Sequence, residues 1–141
     1  MSDESDQLKA RTMQFALAAC ALLPELPPQE PGPAARRQLA KASTGVAFNY
    51  RASCRARSHT EYTARIGVVA EEADESQGWL EFIRDARLLP LRQLESLIKE
   101  SIELTKIFSK SVGTARENEK RTTKKSGSRV MVSRVIRKSG N

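Results

Sequence analysis

Apolar residues recur at alternating steps of four and three between Tyr62 and Ile83, and this spacing constrains the fold more than any other feature of the chain. Such steps keep side chains on one face of an α-helix and are typical of helices that pack lengthwise on one another. The spaced residues are Tyr62, Ile66, Val69, Ala73, Ser76, Leu80 and Ile83. The sequence therefore predicts a long helix within a helical assembly.

Composition extends this prediction to the whole chain. The 141 residues fit one domain, and with 39% hydrophobic but only 5% aromatic residues the core must consist mainly of Leu, Ile, Val and Ala. Prolines and glycines are sparse and clustered, which favours long helices. With the helical periodicity, this composition predicts an all-α fold with helices at about residues 5–23, 34–57, 58–87 and 90–116.

The second and third predicted helices differ in the sign of their charge. Residues 34–57 contain six basic residues and no acidic residue, whereas residues 58–87 contain seven acidic residues and three arginines. Opposite fields on neighbouring helices favour antiparallel packing or subunit pairing. They also leave a cationic surface wherever no partner helix covers it.

Four cations and one aromatic ring of the second helix share an arc opposite its apolar side. They are Arg37, Lys41, Phe48, Arg51 and Arg55. One interpretation is the solvated face of an amphipathic helix. The other is a stripe that binds the phosphates of a nucleic acid, with Phe48 available to stack on a base.

A second basic segment lies at the C-terminal end of the sequence. Residues 117–141 contain eight basic and two acidic residues, so they carry most of the net charge of +7. A segment this polar cannot bury enough apolar surface to order itself, which predicts a flexible basic tail after a bundle that ends at residue 116. In the tail we expect nucleic acid to contact Lys120, Arg121, Lys124 and Lys125.

The third helix carries a second apolar flank beside the seam. A bundle core needs one apolar stripe from each helix, so a second stripe predicts an interface between subunits. The flank consists of Val68, Trp79 and Phe82, with Glu72 and Glu75 among them. We expect these carboxylates to pair with arginines across the interface.

A capping box marks the start of the third helix. The Ser58 hydroxyl should accept a hydrogen bond from the Glu61 N–H, and the Glu61 carboxylate should accept one from the Ser58 N–H. The third helix would then follow the second with almost no loop.

The sequence contains no recognisable catalytic or metal-binding arrangement. His59 is the only histidine, Cys20 and Cys54 lie on separate predicted helices without CxxC spacing, and no glycine-rich phosphate loop is present. No apolar run approaches the roughly 20 residues that span a bilayer. We therefore expect a cytoplasmic protein with reduced thiols, no cofactor, no metal and no membrane contact, which is not an enzyme.

Six blocks of the sequence form a recognisable series. They are Arg37–Ser43, Asn49–Ala52, Ala56–His59, Val69–Ser76 with Trp79-Leu80, Leu104–Phe108 and Thr114–Arg116. In this order they resemble the four-helix bundle family of 23S rRNA-intervening sequence proteins. The resemblance covers about residues 10–116.

The resemblance implies an up-down four-helix bundle that assembles as a ring-like homopentamer, and it brings no established catalytic residues. It also implies one of two settings. Some members are encoded inside intervening sequences of ribosomal RNA genes, and a related branch serves as the accessory protein of diversity-generating retroelements, acting with nucleic acid and a reverse transcriptase.

Two functional hypotheses follow from the residues and the resemblance. The first is a non-enzymatic, oligomeric helical bundle that binds RNA or DNA through its basic surfaces. The alternative is a purely structural or protein-interaction scaffold whose basic residues are used in ion pairs between subunits.

Overall fold

The computed structural model of the chain describes the backbone of residues 2–138 and the side chains of residues 2–125. Over these residues the chain is all-α and has no strand, so the predicted fold class is confirmed. No described helix combines the length and the apolar content that crossing a bilayer demands. The helices are α1 (Asp3–Leu22), α2 (Gly32–Ser53), α3 (His59–Asp85) and α4 (Leu91–Lys138), and a short 3₁₀ turn at Leu23–Glu25 follows α1.

Helix α3 is the centre of the bundle, because both α2 and α4 pack along it. Its buried side is the predicted seam, in which Tyr62 is half-buried and the other members are buried: Ile66, Val69, Ala73, Ser76, Leu80 and Ile83. Ser76 fits this apolar setting because its hydroxyl donates to the carbonyl oxygen of Glu72 at 2.8 Å. The seam therefore aligns both neighbouring helices on α3.

Helix α1 is held less firmly than the other helices. It packs mainly on α2 and contacts α4 at few places. A bidentate ion pair links it to α4, with Arg11 Nε and Nη2 donating to the Glu100 carboxylate at 2.8 and 2.6 Å. The hydrogen bond to Glu100 raises the pKa of Arg11, but both side chains are partly exposed, so the pair contributes about 1 kcal/mol or less.

The proline-rich linker between α1 and α2 is held in place by Arg36. The guanidinium of Arg36 donates to the carbonyl oxygens of Leu23 and Leu26, each at 3.1 Å. Helix α2 then begins at Gly32, where any side chain would collide with the carbonyl group of Pro27. Arg36 is therefore a structural cation, unlike the exposed cations farther along α2.

Helix α2 ends at Ser53, earlier than the Arg57 predicted from the sequence. The cap of α3 explains the difference. The Ser58 hydroxyl accepts from the Glu61 N–H at 3.0 Å, as predicted, and the Glu61 carboxylate accepts from the Arg57 N–H at 3.0 Å, one residue before the predicted donor. These two bonds hold residues 54–58 out of the helix and create a short turn.

Helix α3 ends in a left-handed turn. Arg87 has a φ of 56°, in the region where glycine is usual. Its N–H donates to the Arg84 carbonyl oxygen at 3.0 Å. The Leu88 N–H donates to the Ile83 carbonyl oxygen, also at 3.0 Å. This Schellman arrangement satisfies the last carbonyls of α3 and reverses the chain toward α4.

Helix α4 is the longest described helix. It runs from Leu91 to Lys138 without a break, so it continues beyond the predicted end of the bundle at residue 116 through residues 117–138, here called the α4 extension, and the flexibility of this segment stays a prediction. Local interactions explain the continued helix, because Lys, Arg and Glu are good helix formers and Glu117 pairs with Arg121 at 3.5 Å one turn later.

The described side chains of the α4 extension make no buried contact with the bundle. The last buried side chain before the extension is that of Ala115, and none of residues 116–125 is buried. Residues 139–141 of the predicted tail lie outside the described residues.

Removal of the residues after Arg116 should therefore leave the melting temperature nearly unchanged, because no described side chain of residues 116–125 is buried. The total helical circular-dichroism signal should fall by the share of the extension. Thermal melts of the full and shortened chains at equal concentration and salt measure both. A loss of many degrees would show instead that the extension packs on the bundle.

Candidate nucleic-acid interface

A cluster of arginines surrounds a concavity where α2 turns into α3. The cluster, here called the arginine corner, consists of Arg51 in the last turn of α2, Arg55 and Arg57 in the connecting turn, and Arg65 in α3. The concavity has a volume of about 380 Å³ and is also lined by Phe48, Ala52 and Glu61. The volume falls within the range of small-molecule pockets.

Local structure explains why these arginines meet. The C-terminal end of a helix carries partial negative charge, which favours a cation such as Arg51 in the last turn. The Arg55 N–H donates to the Ala52 carbonyl oxygen at 3.0 Å, which folds the chain back against the end of α2. The Ser58 cap then starts α3 at once, so Arg65 returns alongside α2.

The arginine corner has no acidic partner in the part of the chain whose side chains are described. Glu61 is the single carboxylate among the lining residues, and it is engaged by the Arg57 N–H. At the other end of α3 the situation is reversed, because Arg84 Nε contacts the Asp85 carboxylate at 2.8 Å. That hydrogen bond lowers the pKa of Asp85. The fold thus leaves the cations of the corner free to contact an anion.

The stripe predicted on α2 is exposed along its length but does not form one site. Phe48, Arg51 and Arg55 line the concavity. Arg55 does so from the connecting turn and not from the helix. Arg37 and Lys41 lie toward the start of α2, and Arg37 is about 21 Å from Arg51 along the helix axis at 1.5 Å per residue. The structure therefore separates the stripe into a corner and two outlying cations.

The α4 extension leaves the bundle at the same end as the arginine corner. His59, the first residue of α3, contacts the carbonyl oxygen of Ala115 through Nε2 at 3.0 Å. Helix α4 therefore passes the start of α3 at Ala115 and continues beyond it. The cations of this stretch are all exposed, namely Arg116, Lys120, Arg121, Lys124 and Lys125. Three of them, Arg116, Lys120 and Lys124, line an open concavity of about 480 Å³ with Glu119 and Thr123.

Glu72, predicted at a subunit interface, lies between α2 and α3 of one chain. Its carboxyl group covers Gly45, where a Cβ atom would stand 2.8 Å from Oε2. Oε2 is buried and has no hydrogen-bond partner among the described residues. Burial raises the pKa of Glu72, and the charges of Glu75 and Glu71 add to this, while Lys41 lowers it. Lys41 therefore lies close enough to Glu72 for their charges to interact.

The other members of the predicted interface remain on the outer side of α3. Val68 and Phe82 are 37% and 42% exposed, and Glu75 is exposed. Trp79 is half-buried against the core and meets Phe82 edge-on, with ring centroids 5.4 Å apart. Trp79 and Phe82 form a small apolar patch of the kind that marks protein interaction sites, and exposed Val68 lies about 21 Å from Phe82 along the helix axis.

A second cleft at this end of the bundle has a volume of about 530 Å³ and is lined by serine hydroxyls, Tyr50, Tyr62 and the Cys54 thiol. Burial raises the pKa of both tyrosines, and nearby Cys54 adds to the shift. The cleft is therefore lined by neutral phenol groups and not by cations. Within the described residues, no group of three or more His, Cys, Asp or Glu side chains could hold a metal ion.

Sequence analysis missed two members of the arginine corner. Arg57 was assigned to the end of α2, and Arg65 belongs to a helix whose charge is mainly acidic. The spacing gave no clear signal, because Arg51 lies three residues before the turn at residues 54–58 and Arg65 lies seven residues after it.

The chain has a similar fold to one solved structure in particular. This is the crystal structure, at 1.70 Å resolution, of a protein with unknown function from the S23 ribosomal protein family of Bacteroides thetaiotaomicron VPI-5482. The TM-score is 0.68 at 22% sequence identity, and the match covers 74% of this chain and 97% of that chain. No family model and no curated protein matches the chain. At this identity the likeness establishes the shared fold, and the family resemblance stays a prediction.

The environment of Glu72 predicts how stability depends on pH. Folding raises the pKa of Glu72 above its ordinary value of 4.5, so the folded chain binds more protons than the unfolded chain in that range. The contribution of this group to stability therefore falls as pH rises from 4.5 through the raised pKa. Glu72→Gln keeps the shape without the charge, and it should raise the stability at neutral pH and flatten this dependence.

Urea unfolding between about pH 4 and pH 8 measures this effect. The matched control is Glu71→Gln, which removes the same charge from an exposed neighbour. Equal gains in the two variants, or a loss of stability in Glu72→Gln, would contradict the assignment of the effect to the buried carboxylate.

Proposed function

We propose that this chain is a non-enzymatic, oligomeric helical bundle that binds nucleic acid, RNA or DNA, through basic surfaces. The observation that carries the proposal is the position of its exposed cations. The arginine corner and the cations of the α4 extension lie at the same end of the bundle. The concavity of the corner is lined by four arginines and one carboxylate, and such a local excess of positive charge attracts a polyanion and raises the rate of encounter.

The chemistry of these residues suits phosphates better than base edges. Arginine guanidinium groups form bidentate hydrogen bonds to phosphate oxygens, and contacts to phosphates fix position without reading sequence. The residues that line the concavity include no Asn, Gln or Asp. Binding with low sequence specificity follows from this set of groups.

Oligomerisation would strengthen weak binding at each subunit. The apolar patch on the outer side of α3 offers Trp79 and Phe82 to a second copy, with exposed Val68 about three turns away on the same helix, and the family resemblance suggests a homopentamer. A ring of subunits repeats the arginine corner around the assembly. Several modest contacts on one strand then combine into a higher overall affinity.

The resemblance also suggests the setting of this activity. We propose a cytoplasmic protein that acts beside a ribosomal RNA element or as an accessory to a reverse transcriptase. The solved structure of similar fold is that of a protein with unknown function from the S23 ribosomal protein family, so the choice between these settings rests on the resemblance alone.

A structural or protein-interaction scaffold is the second candidate. The observation that favours it is the interaction of Lys41 with Glu72, since the charge of Lys41 lowers the pKa of this acid of α3. The same does not hold for the arginine corner, which has no ion pair among the described residues. Binding therefore fits more of the exposed cations than scaffolding does.

The double variant Arg51→Glu/Arg55→Glu should weaken binding and reduce its dependence on salt. Each phosphate contact to a single strand contributes about 0.7 to the slope of log K against log salt, so the slope should flatten by about 1.4. Titrations of RNA and DNA strands at several salt concentrations measure this change.

The matched control is Arg92→Glu/Lys99→Glu, which makes the same charge change at two exposed residues of early α4. It should leave the slope of log K against log salt nearly unchanged, and should weaken binding only by the general effect of the changed net charge. No detectable binding of wild type at low salt, or equal binding by both double variants, would favour the scaffold.

Phe82→Ser should reduce assembly, because it removes an exposed ring from the apolar patch without opening the core. Trp79 is less suited to this test, since it also packs on the core. Leu17→Ser is the control, since it removes a residue that is 64% exposed on α1. Light scattering at micromolar concentration gives the mass, and a wild-type mass near 15.7 kDa would reject the oligomer.

A further inference from the structure

Phe48 is an aromatic ring left in solvent beside a cluster of cations. Its side chain is 56% exposed, whereas Phe15 and Phe108 are buried in the core. The ring contacts found among the described residues involve other pairs: Tyr50 with Phe108, His59 with Tyr62, and Trp79 with Phe82. Phe48 lines the arginine corner, so its ring is available to a ligand that also contacts guanidinium groups.

The shape of the concavity indicates the kind of ligand. A volume of about 380 Å³ is at the lower end of the range for pockets that hold small molecules. The concavity is open toward solvent, because Arg51, Arg55 and Arg57 on its rim are all exposed. An open site of this size has room for one planar group, and it leaves space for a chain to enter on one side and leave on the other.

We infer that the arginine corner binds one unpaired nucleotide within a single strand, with its base stacked on Phe48 and its flanking phosphates held by the guanidinium groups. Stacking on an aromatic ring accepts any base, because every base has a π-face. Guanidinium groups contact phosphates from both ends of the nucleotide. The inference rests on the proposed function and specifies the form of nucleic acid that the corner selects.

Single strands and duplexes differ in whether the faces of their bases are free to stack on Phe48. In a duplex both faces of each base are covered by neighbouring bases, so Phe48 has nothing to stack on. A surface that acts by charge alone prefers the duplex, because its charge density is higher. A site that depends on Phe48 reverses this preference, so the order of the two affinities separates stacking from simple electrostatic attraction.

The test compares a thymidine dodecamer with a DNA duplex of the same length, bound to the full chain at one salt concentration. Wild type should bind the single strand more tightly than the duplex. Phe48→Leu should lower the single-strand affinity about tenfold, within the range for one stacked base, and leave duplex affinity unchanged. Phe48→Trp should restore single-strand binding, because it restores an aromatic face. Both variants change an exposed side chain.

A pair of arginine variants tests the phosphate contacts. Arg65→Gln removes a cation from the corner, and Arg92→Gln removes an exposed cation from the far end of α3 and α4. Only the first should weaken single-strand binding beyond the general effect of one lost charge. Equal effects of the two variants would overturn the assignment of the phosphates to the corner.

The remaining outcomes separate this inference from the proposed function. If neither nucleic acid binds at low salt, the proposed function fails as well. If wild type binds both but prefers the duplex, and Phe48→Leu matches wild type, only the inference of an unpaired nucleotide fails. Competition by thymidine monophosphate as strong as that by the dodecamer would also overturn it, because the ligand would then be a free nucleotide and not part of a strand.

Discussion

Burial of one seam of α3 between two neighbouring helices is the constraint on which the rest of this structure depends. Because α2 and α4 pack along the same helix and are each joined to it by five residues, both run antiparallel to it, and their distant ends are brought to fixed places. The end of α2 meets the start of α3 through a turn of five residues, and α4 passes that turn at Ala115. The grouping of cations at one end is thus a consequence of apolar packing.

Much of this architecture could be predicted from the sequence, because helical periodicity is a local property. The seam of α3, the hydroxyl of Ser58 as cap and the all-α class follow from spacing and residue type. The end of α2 could not be predicted as well. It depends on whether the Glu61 carboxylate reaches the N–H of Arg57 or that of Ser58, a difference of one residue that moves Arg55 out of the helix.

The cations of the predicted candidate site are exposed, but the sequence did not give their geometry. Exposure of Arg37, Lys41 and Arg51 follows from the amphipathic pattern of α2. The contribution of Arg65 depends on contacts between helices, which no single helix reveals. The helical backbone of the α4 extension could not be predicted from composition, because composition measures only the lack of a core, whereas helix propensity and ion pairs between successive turns act without one.

The weak attachment of α1 has a consequence for how the molecule opens. Segments with few buried contacts unfold locally at a smaller free-energy cost than the whole domain. Helix α1 buries only Thr12, Phe15, Ala16 and Ala19, and its link to α4 is a partly exposed ion pair. Its amide protons should therefore exchange with solvent sooner than those of α3. The α3 seam is buried mainly by α2 and α4, so detachment of α1 would leave the arginine corner intact. Helix α1 can therefore unfold locally while the arginine corner keeps its shape.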